Sequence, residues 1–353
     1  MSLQRGMAAL QLEMPGEVPR TEYSAHNYHW DLVQKVTGIE VNEQSDEAIK
    51  RRATEAFVRA WDYDIVWHVM RLDDVFGRYR TRMGHASFAA SNADFDAEQS
   101  CSFKDEDAVL DFDPREALER PAHTQLVGMF NRDYENSCRR FPDTVNMTGT
   151  YITLISGLID LLGWDMLLAT AGYDLDEFGA LANRYAEWMM QYMRALADCK
   201  SPIIMLHDDI VWTDGPFMNP DWYRKYIFPN LKRYIDVLKG AGKTVLFTSD
   251  GNFTTFLEDV VRAGADGFVM EPCTDMEHAA RRYGKSHVIV GNADTRILLQ
   301  GNRAAITAEV QRCMDIGKPC PGFIMAVGNH IPANTPVDSA LYYNQEYLRL
   351  RLR

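Results

Sequence analysis

The sequence predicts an α/β fold, a (β/α)8 TIM-type barrel with an N-terminal extension over residues 1–60. Three observations lead there. From about residue 143 onward, short β-branched apolar runs alternate with segments of helical period, the signature of βα units. The runs are apolar almost throughout, as parallel strands covered on both faces are. No GxGxxG follows the first strand and no Walker motif occurs, which argues against a doubly wound open sheet.

The elements follow in order. Met1-Ser2-Leu3 is set aside from fold reasoning. A helix over 46–61 precedes the first strand, Asp64-Ile65-Val66-Trp67. Further strands are expected at Thr144-Val145-Asn146-Met147, Ile203-Ile204-Met205-Leu206, Thr244-Val245-Leu246-Phe247, Gly267-Phe268-Val269-Met270, His287-Val288-Ile289-Val290 and Gly322-Phe323-Ile324-Met325-Ala326-Val327. Asn219-Pro220 sets a helix start, Asn230 to Leu238 has helical spacing, and Gly240 with Gly242 ends it. Thr255 to Val261 is a helix ended by the Gly264 turn. An eighth strand is expected between residues 77 and 130, where charge and Ser/Ala content blur the pattern. With no internal repeat and no Pro/Gly/Ser-rich linker, one domain spanning 1–353 is the simplest organisation.

Composition narrows the function classes. Lys plus Arg number 37 against 50 Asp plus Glu, a net charge of −13, so nucleic acid meets general repulsion. No stretch reaches the roughly 20 apolar residues of a membrane span, and no signal-peptide order is seen, so a cytoplasmic location is expected. The six cysteines lack a CxxC pair and read as reduced structural thiols.

In a parallel barrel the active site forms at the carboxyl ends of the strands. Here those ends read His207-Asp208-Asp209, Thr248-Ser249-Asp250-Gly251-Asn252, Glu271-Pro272-Cys273, Gly291-Asn292-Ala293-Asp294 and Gly328-Asn329-His330-Ile331-Pro332, with His68 after the early strand. Each has a plain structural reading. Asp209, Asp294 and Ser249 suit helix N-caps, His207 a satisfied core histidine, Asn252 and Asn329 turns, and Cys273 a small apolar group. Capping, however, does not require five consecutive strand ends to carry acids or imidazoles. A ring of His207, Asp208, Asp209, Asp250, Glu271 and His330 has the donors for a divalent metal, or for carboxylates of raised pKa doing acid–base work. His330, Asp250 and Glu271 are expected in one cavity, with His68 at its border.

At these residues the chain resembles the uroporphyrinogen decarboxylase superfamily over roughly residues 140–350. The motif order carries the resemblance: the Asp208-Asp209 segment leading to Gly215-Pro216-Phe217-Met218-Asn219-Pro220-Asp221-Trp222-Tyr223, then Ser249-Asp250-Gly251-Asn252, Gly291-Asn292-Ala293-Asp294 and Gly328-Asn329-His330-Ile331-Pro332. The resemblance implies a (β/α)8 barrel with a deep cleft. True decarboxylases carry an N-terminal Arg-Gln-Ala-Gly-Arg motif whose arginines bind propionates; the comparable stretch here is Pro19-Arg20-Thr21-Glu22-Tyr23-Ser24-Ala25-His26, and His68 stands where a catalytic aspartate is expected. The methylcobalamin:coenzyme M methyltransferase branch binds zinc through a His-x-Cys pair and a late Cys. Those positions hold Thr248, Asp250 and Asn329.

With both signatures broken, the chain looks similar to members that work with corrinoid proteins and demethylate methoxylated or methylated-amine substrates. That implies methyl transfer between a small methyl donor and a corrinoid on a partner protein. His330, Asp250 and Asp209 would be catalytic, and His68, His207, Asp208, Asn252, Asn329 and Asp294 substrate-binding. Asp250, Glu271 and His330 would hold a divalent metal such as zinc, a harder set than the thiolates they replace. Without metal, His330 would act as general acid, its pKa raised by a neighbouring carboxylate. Decarboxylation of a tetrapyrrole or other acidic substrate, and a non-catalytic binding barrel, are the alternatives.

Overall fold

The computed structural model describes residues 2–23, 25–72, 74–81 and 101–353. Strands form at all seven apolar runs: β1 Ile65–Val66, β2 Val145–Asn146 with its continuation β3 Thr148–Thr150, β4 Ile203–His207, β5 Thr244–Ser249, β6 Gly267–Met270, β7 Val288–Ala293 and β8 Phe323–Val327. β1 pairs with β2, and β3 to β8 pair in sequential order, all in parallel.

The eighth position is filled from an unexpected place. Residues 77–81 and 101–130 contain no strand, and 82–100 lie outside the described residues. Residues 18–21 instead lie between β8 and β1. Thr21 N donates to Met325 O at 3.0 Å, Met325 N to Pro19 O at 2.8 Å, and Asp64 N to Arg20 O at 3.0 Å. These bonds complete a ring of eight parallel positions. The stretch Val18-Pro19-Arg20-Thr21 escaped the pattern because it holds one aliphatic residue, a proline and a charge, so no apolar run marks it.

Arg20 is fully buried. Its guanidinium meets Glu22 at 2.7 Å and Asn344, and lies over Tyr347 at 4.5 Å and Trp61 at 4.8 Å. Glu22 accepts in turn from Tyr343 Oη at 2.8 Å and from the β8 amide of Val327 at 2.9 Å. The pair thus joins residues 20–22 to β8 and to the last helix, Val337–Leu350.

Side chains alternate across each strand. Ile65, Val145, Ile203, Leu246, Val269, Val288 and Ile324 point inward and pack together, while Ile204, Phe247, Phe268 and Phe323 face the outer helices. The N-terminal mouth is plugged by the helix Leu3–Leu10, whose Ala9 and Leu10 join the inner cluster. Ser2 caps this helix, and its amide donates to Asp64 Oδ1 at 2.8 Å, so Ser2 and Leu3, set aside above, belong to the fold. Ile155–Tyr173 is long and apolar enough to cross a membrane, but 67% of its apolar window is buried within the protein. It breaks at Gly163, whose φ of 72° and ψ of 162° suit only glycine.

Glu22→Gln leaves the Arg20 charge buried without its carboxylate. The variant is expected to lose about 3–5 kcal/mol in urea-unfolding free energy, and an unchanged midpoint would show that the pair does not secure the ring.

Candidate active site

Strand parity decides which predicted residues reach the cavity. Ile203 and Met205 face inward, so the next inward positions on β4 are His207 and Asp209; Leu246 does the same for Asp250, Val269 for Glu271, Ala326 for His330, and Met147 for Tyr151. Asp209, Asp250, Glu271 and Tyr151, with Trp164 and Trp212, line a cavity of about 420 Å³ at the carboxyl ends of the strands.

His207 and Asp209 form the centre. His207 Nε2 lies 2.8 Å from Asp209 Oδ1, and its buried ring stacks on Tyr151 with centroids 3.9 Å apart. Asp209 also accepts from Tyr151 Oη at 3.1 Å, Ser156 Oγ at 3.3 Å and the Asp250 amide at 3.0 Å. Burial works against a charge on His207, but Asp209 beside it raises its pKa to about 8. Asp209 is held below the usual carboxylate range, because the imidazolium and its hydrogen bond outweigh burial. Asp250 moves the other way, to about 8, through burial and the neighbouring charges of Asp209 and Glu271.

Glu271 accepts from the Asn329 amide and from Gly251 N at 2.8 Å, and Cys273 Sγ lies 3.7 Å from it. Gly251 is required there: its φ is +89°, and a Cβ would come within 2.6 Å of Trp212 O. Asn329 also hydrogen-bonds Asp250, so it joins two cavity carboxylates.

Several expectations are corrected. Asp208 points outward, where Oδ1 accepts from Leu154 N at 3.1 Å and Ser156 N at 2.9 Å at the start of Ile155–Tyr173. His68 also points outward, between the inward Trp67 and Val69, and meets Asp133 at 2.9 Å on the helix His123–Arg140. Asp294 caps Thr295–Gln300 and pairs with Arg296 at 2.7 Å. Asn252 turns the chain, accepting from Thr254 N at 3.1 Å. His330 packs on Tyr23 with centroids 4.6 Å apart, and burial with the His207 charge lowers its pKa to about 3, the opposite direction from the rise expected of a general acid.

The metal set changes as well. Among the described residues, the group whose possible ligand atoms lie within 4.8 Å of one another is His207, Asp209 and Asp250. Glu271 is occupied by Asn329 and Gly251, and His330 lies against Tyr23. One imidazole nitrogen with two carboxylates is a donor set that zinc, manganese or iron accepts, and the buried His207 Nδ1 has no hydrogen-bond partner among the described residues.

Tyr151, Ser156, Trp164 and Trp212 were not singled out from the sequence. Tyr151 extends the β2–β3 run by its two-residue period. Ser156 and Trp164 sit on a helix with no sequence motif, and Trp212 follows the Asp208-Asp209 segment by three residues.

A closed parallel barrel with a polar cavity at the carboxyl ends of its strands defines the class of protein. The chain belongs to the uroporphyrinogen decarboxylase (URO-D) family, whose model matches residues 140–343. A uroporphyrinogen decarboxylase of Pelobacter propionicus is 29% identical over 175 residues, 50% of each chain. One from Thermus thermophilus is 29% identical over 162 residues, 46% of each. The matches thus span about half the length of these relatives. A methyltransferase from Methanosarcina mazei shares the fold along 99% of both chains, with a TM-score of 0.66 at 17% identity.

Asp208→Ala should cost about 1–2 kcal/mol of stability through loss of the cap. Asp208→Asn keeps an acceptor there and should leave both stability and cavity binding near those of the parent. A well-folded Asp208→Asn protein that had lost cavity binding would return the residue to the cavity.

Proposed function

We propose that this chain is a methyltransferase moving a methyl group between a small methylated substrate and a corrinoid carried by a partner protein. The observation that carries the proposal is the sign of the cavity. Among the described residues its lining contributes Asp209, Asp250 and Glu271 and neither lysine nor arginine. A porphyrinogen with eight carboxylates needs clustered cationic donors, which this lining does not supply. The volume of about 420 Å³ lies toward the lower end of ligand pockets, which suits a small donor. The methyltransferase fold of the Methanosarcina mazei protein agrees with this reading.

The chain's own residues have clear tasks. Tyr151, Ser156 and the Asp250 amide hold the Asp209 carboxylate in place, and Asp209 in turn fixes the His207 ring. His207, Asp209 and Asp250 would hold a divalent ion, which when bound supplies Lewis-acid stabilisation of a leaving oxygen. Without the ion, His207 keeps a proton at Nε2 beside Asp209 and offers it to the leaving atom. An N-methylammonium donor needs neither, since it brings its own positive charge.

The second reading is decarboxylation of an acidic substrate, favoured by the names of the relatives matching this half of the chain. Uroporphyrinogen incubation yielding coproporphyrinogen would support it.

The test of the proposal is spectroscopic. Mixed with a reduced corrinoid protein and methyl donors, the chain is expected to change the cobalamin absorbance; no change with any donor, methoxylated or N-methylated, would sink the proposal. In a separate measurement, His207→Ala and Asp250→Ala should each weaken zinc or manganese binding by at least about tenfold, whereas His330→Ala should not.

A further inference from the structure

We propose that the substrate of this cavity is a methylated ammonium cation, seated between an indole wall formed by Trp164 and Trp212 and the carboxylate of Glu271. The inference rests on the reading of the cavity as the methyl-donor site, and it selects N-methyl over O-methyl donors.

The wall is built. Trp164 and Trp212 have ring centroids 5.6 Å apart, and Phe217 packs behind them at 5.2 and 5.3 Å. Trp212 is held at both ends of a tight loop: its backbone exchanges hydrogen bonds with Gly215 at 2.8 and 3.0 Å, and its carbonyl accepts from Asn252 N at 2.8 Å. Its side chain is still 47% exposed, a large apolar ring left at the mouth of the cavity. Trp164 follows the Gly163 break, which redirects the helix there. Indole faces bind quaternary ammonium groups by cation–π attraction, and rigid backbone anchoring lowers the ordering cost.

The charge balance points the same way. Of the three cavity carboxylates, Asp209 is matched by His207, and Asp250 shares the trio that can take a metal ion. Glu271 is left with neutral donors: the Asn329 amide, the Gly251 N–H and the Cys273 thiol. Among the described residues no lysine or arginine forms a salt bridge with it. Arg296 acts on this carboxylate only from beyond ion-pair distance and is itself paired with Asp294, so a methoxy substrate would leave Glu271 without a cation in contact, whereas a methylammonium supplies one. The methyl group would leave as the N–CH3 bond breaks, its nitrogen retaining the electron pair as a neutral amine, and the reduced corrinoid of the partner protein supplying the pair for the new bond. No proton is required, in keeping with the neutral His330.

The test measures binding by the quenching of tryptophan fluorescence, using choline and its tert-butyl analogue, in which carbon replaces nitrogen. Choline should bind and the neutral analogue should not. Trp212→Leu and Glu271→Gln should each weaken choline binding about five- to thirtyfold, Trp164→Leu should do likewise, and Asp208→Asn should have no effect. Equal binding of the neutral analogue would overturn the inference. So would choline affinity unchanged in all three cavity variants, or no choline binding by a protein that still binds zinc. Methyl transfer from a methoxy donor without choline binding would reject the inference and keep the methyltransferase function. Choline binding without corrinoid methylation from any donor would do the reverse.

Discussion

Three backbone hydrogen bonds around Arg20 join β8 to β1 through residues 18–21, and the strand-borne side chains of the cavity take their inward direction from the register so fixed. A strand's side chains have a period of two, so a slip of one residue would exchange inner and outer faces. With residues 18–21 fixed between β8 and β1, Ile203, Leu246, Val269 and Ile324 are held inward. His207, Asp209, Asp250 and Glu271 follow as the next inward positions. The Arg20–Glu22 pair reinforces this seam at the cost of burying two charges, a cost offset by Tyr343, Asn344 and the Val327 amide.

The same geometry explains the electrostatics of the cavity. Strands in a ring bring their carboxyl ends together, so acids remote in sequence become neighbours. Asp209 and Asp250 are 41 residues apart, yet the carboxylate of one accepts from the amide of the other. Burial and then the charge of Asp209 push Asp250 to about 8, while His207 lowers the pKa of Asp209. The result is a cavity in which one carboxylate is ionised and paired and another binds a proton near neutrality, a division that cation binding of any kind would disturb.

What was legible in the sequence was whatever a periodic or local signal encodes. Seven strands announced themselves as apolar runs, and Asp209, Asp250 and Glu271 as polar residues directly after them. The seam at Val18-Pro19-Arg20-Thr21 was hidden because its stability comes from one buried ion pair and long-range pairing, neither of which leaves a run of apolar residues. Parity was the second hidden variable. Asp208 and Asp209 are adjacent and chemically alike, yet one caps a helix outside the barrel and the other enters the cavity. His68 and His330 differ from expectation in separate ways: the first meets Asp133 outside the barrel, and the second is inward but buried against Tyr23, where a proton is disfavoured. Trp164 and Trp212 carried no motif, because an aromatic residue on a helix or loop reads as core until a cavity is seen beside it.

The replacement of a soft ligand set by a hard one then has a structural consequence beyond metal preference. Where the resemblance implies thiolate and imidazole donors, this chain has Thr248, Asp250 and Asn329. Thr248 spends its hydroxyl on the Val269 carbonyl at 3.4 Å, and Asn329 spends its amide on Glu271. Of these two positions, the first thus ties β5 to the backbone of β6 and the second supports a cavity carboxylate. The third, Asp250, joins His207 and Asp209 on the neighbouring strand. The centre of charge has moved from β5 and β8 toward β4 and β5, next to the loop that carries Trp212. The lining of the cavity so rearranged combines carboxylates with the indoles of Trp164 and Trp212, groups that favour positive charge over the carboxylates of a porphyrinogen.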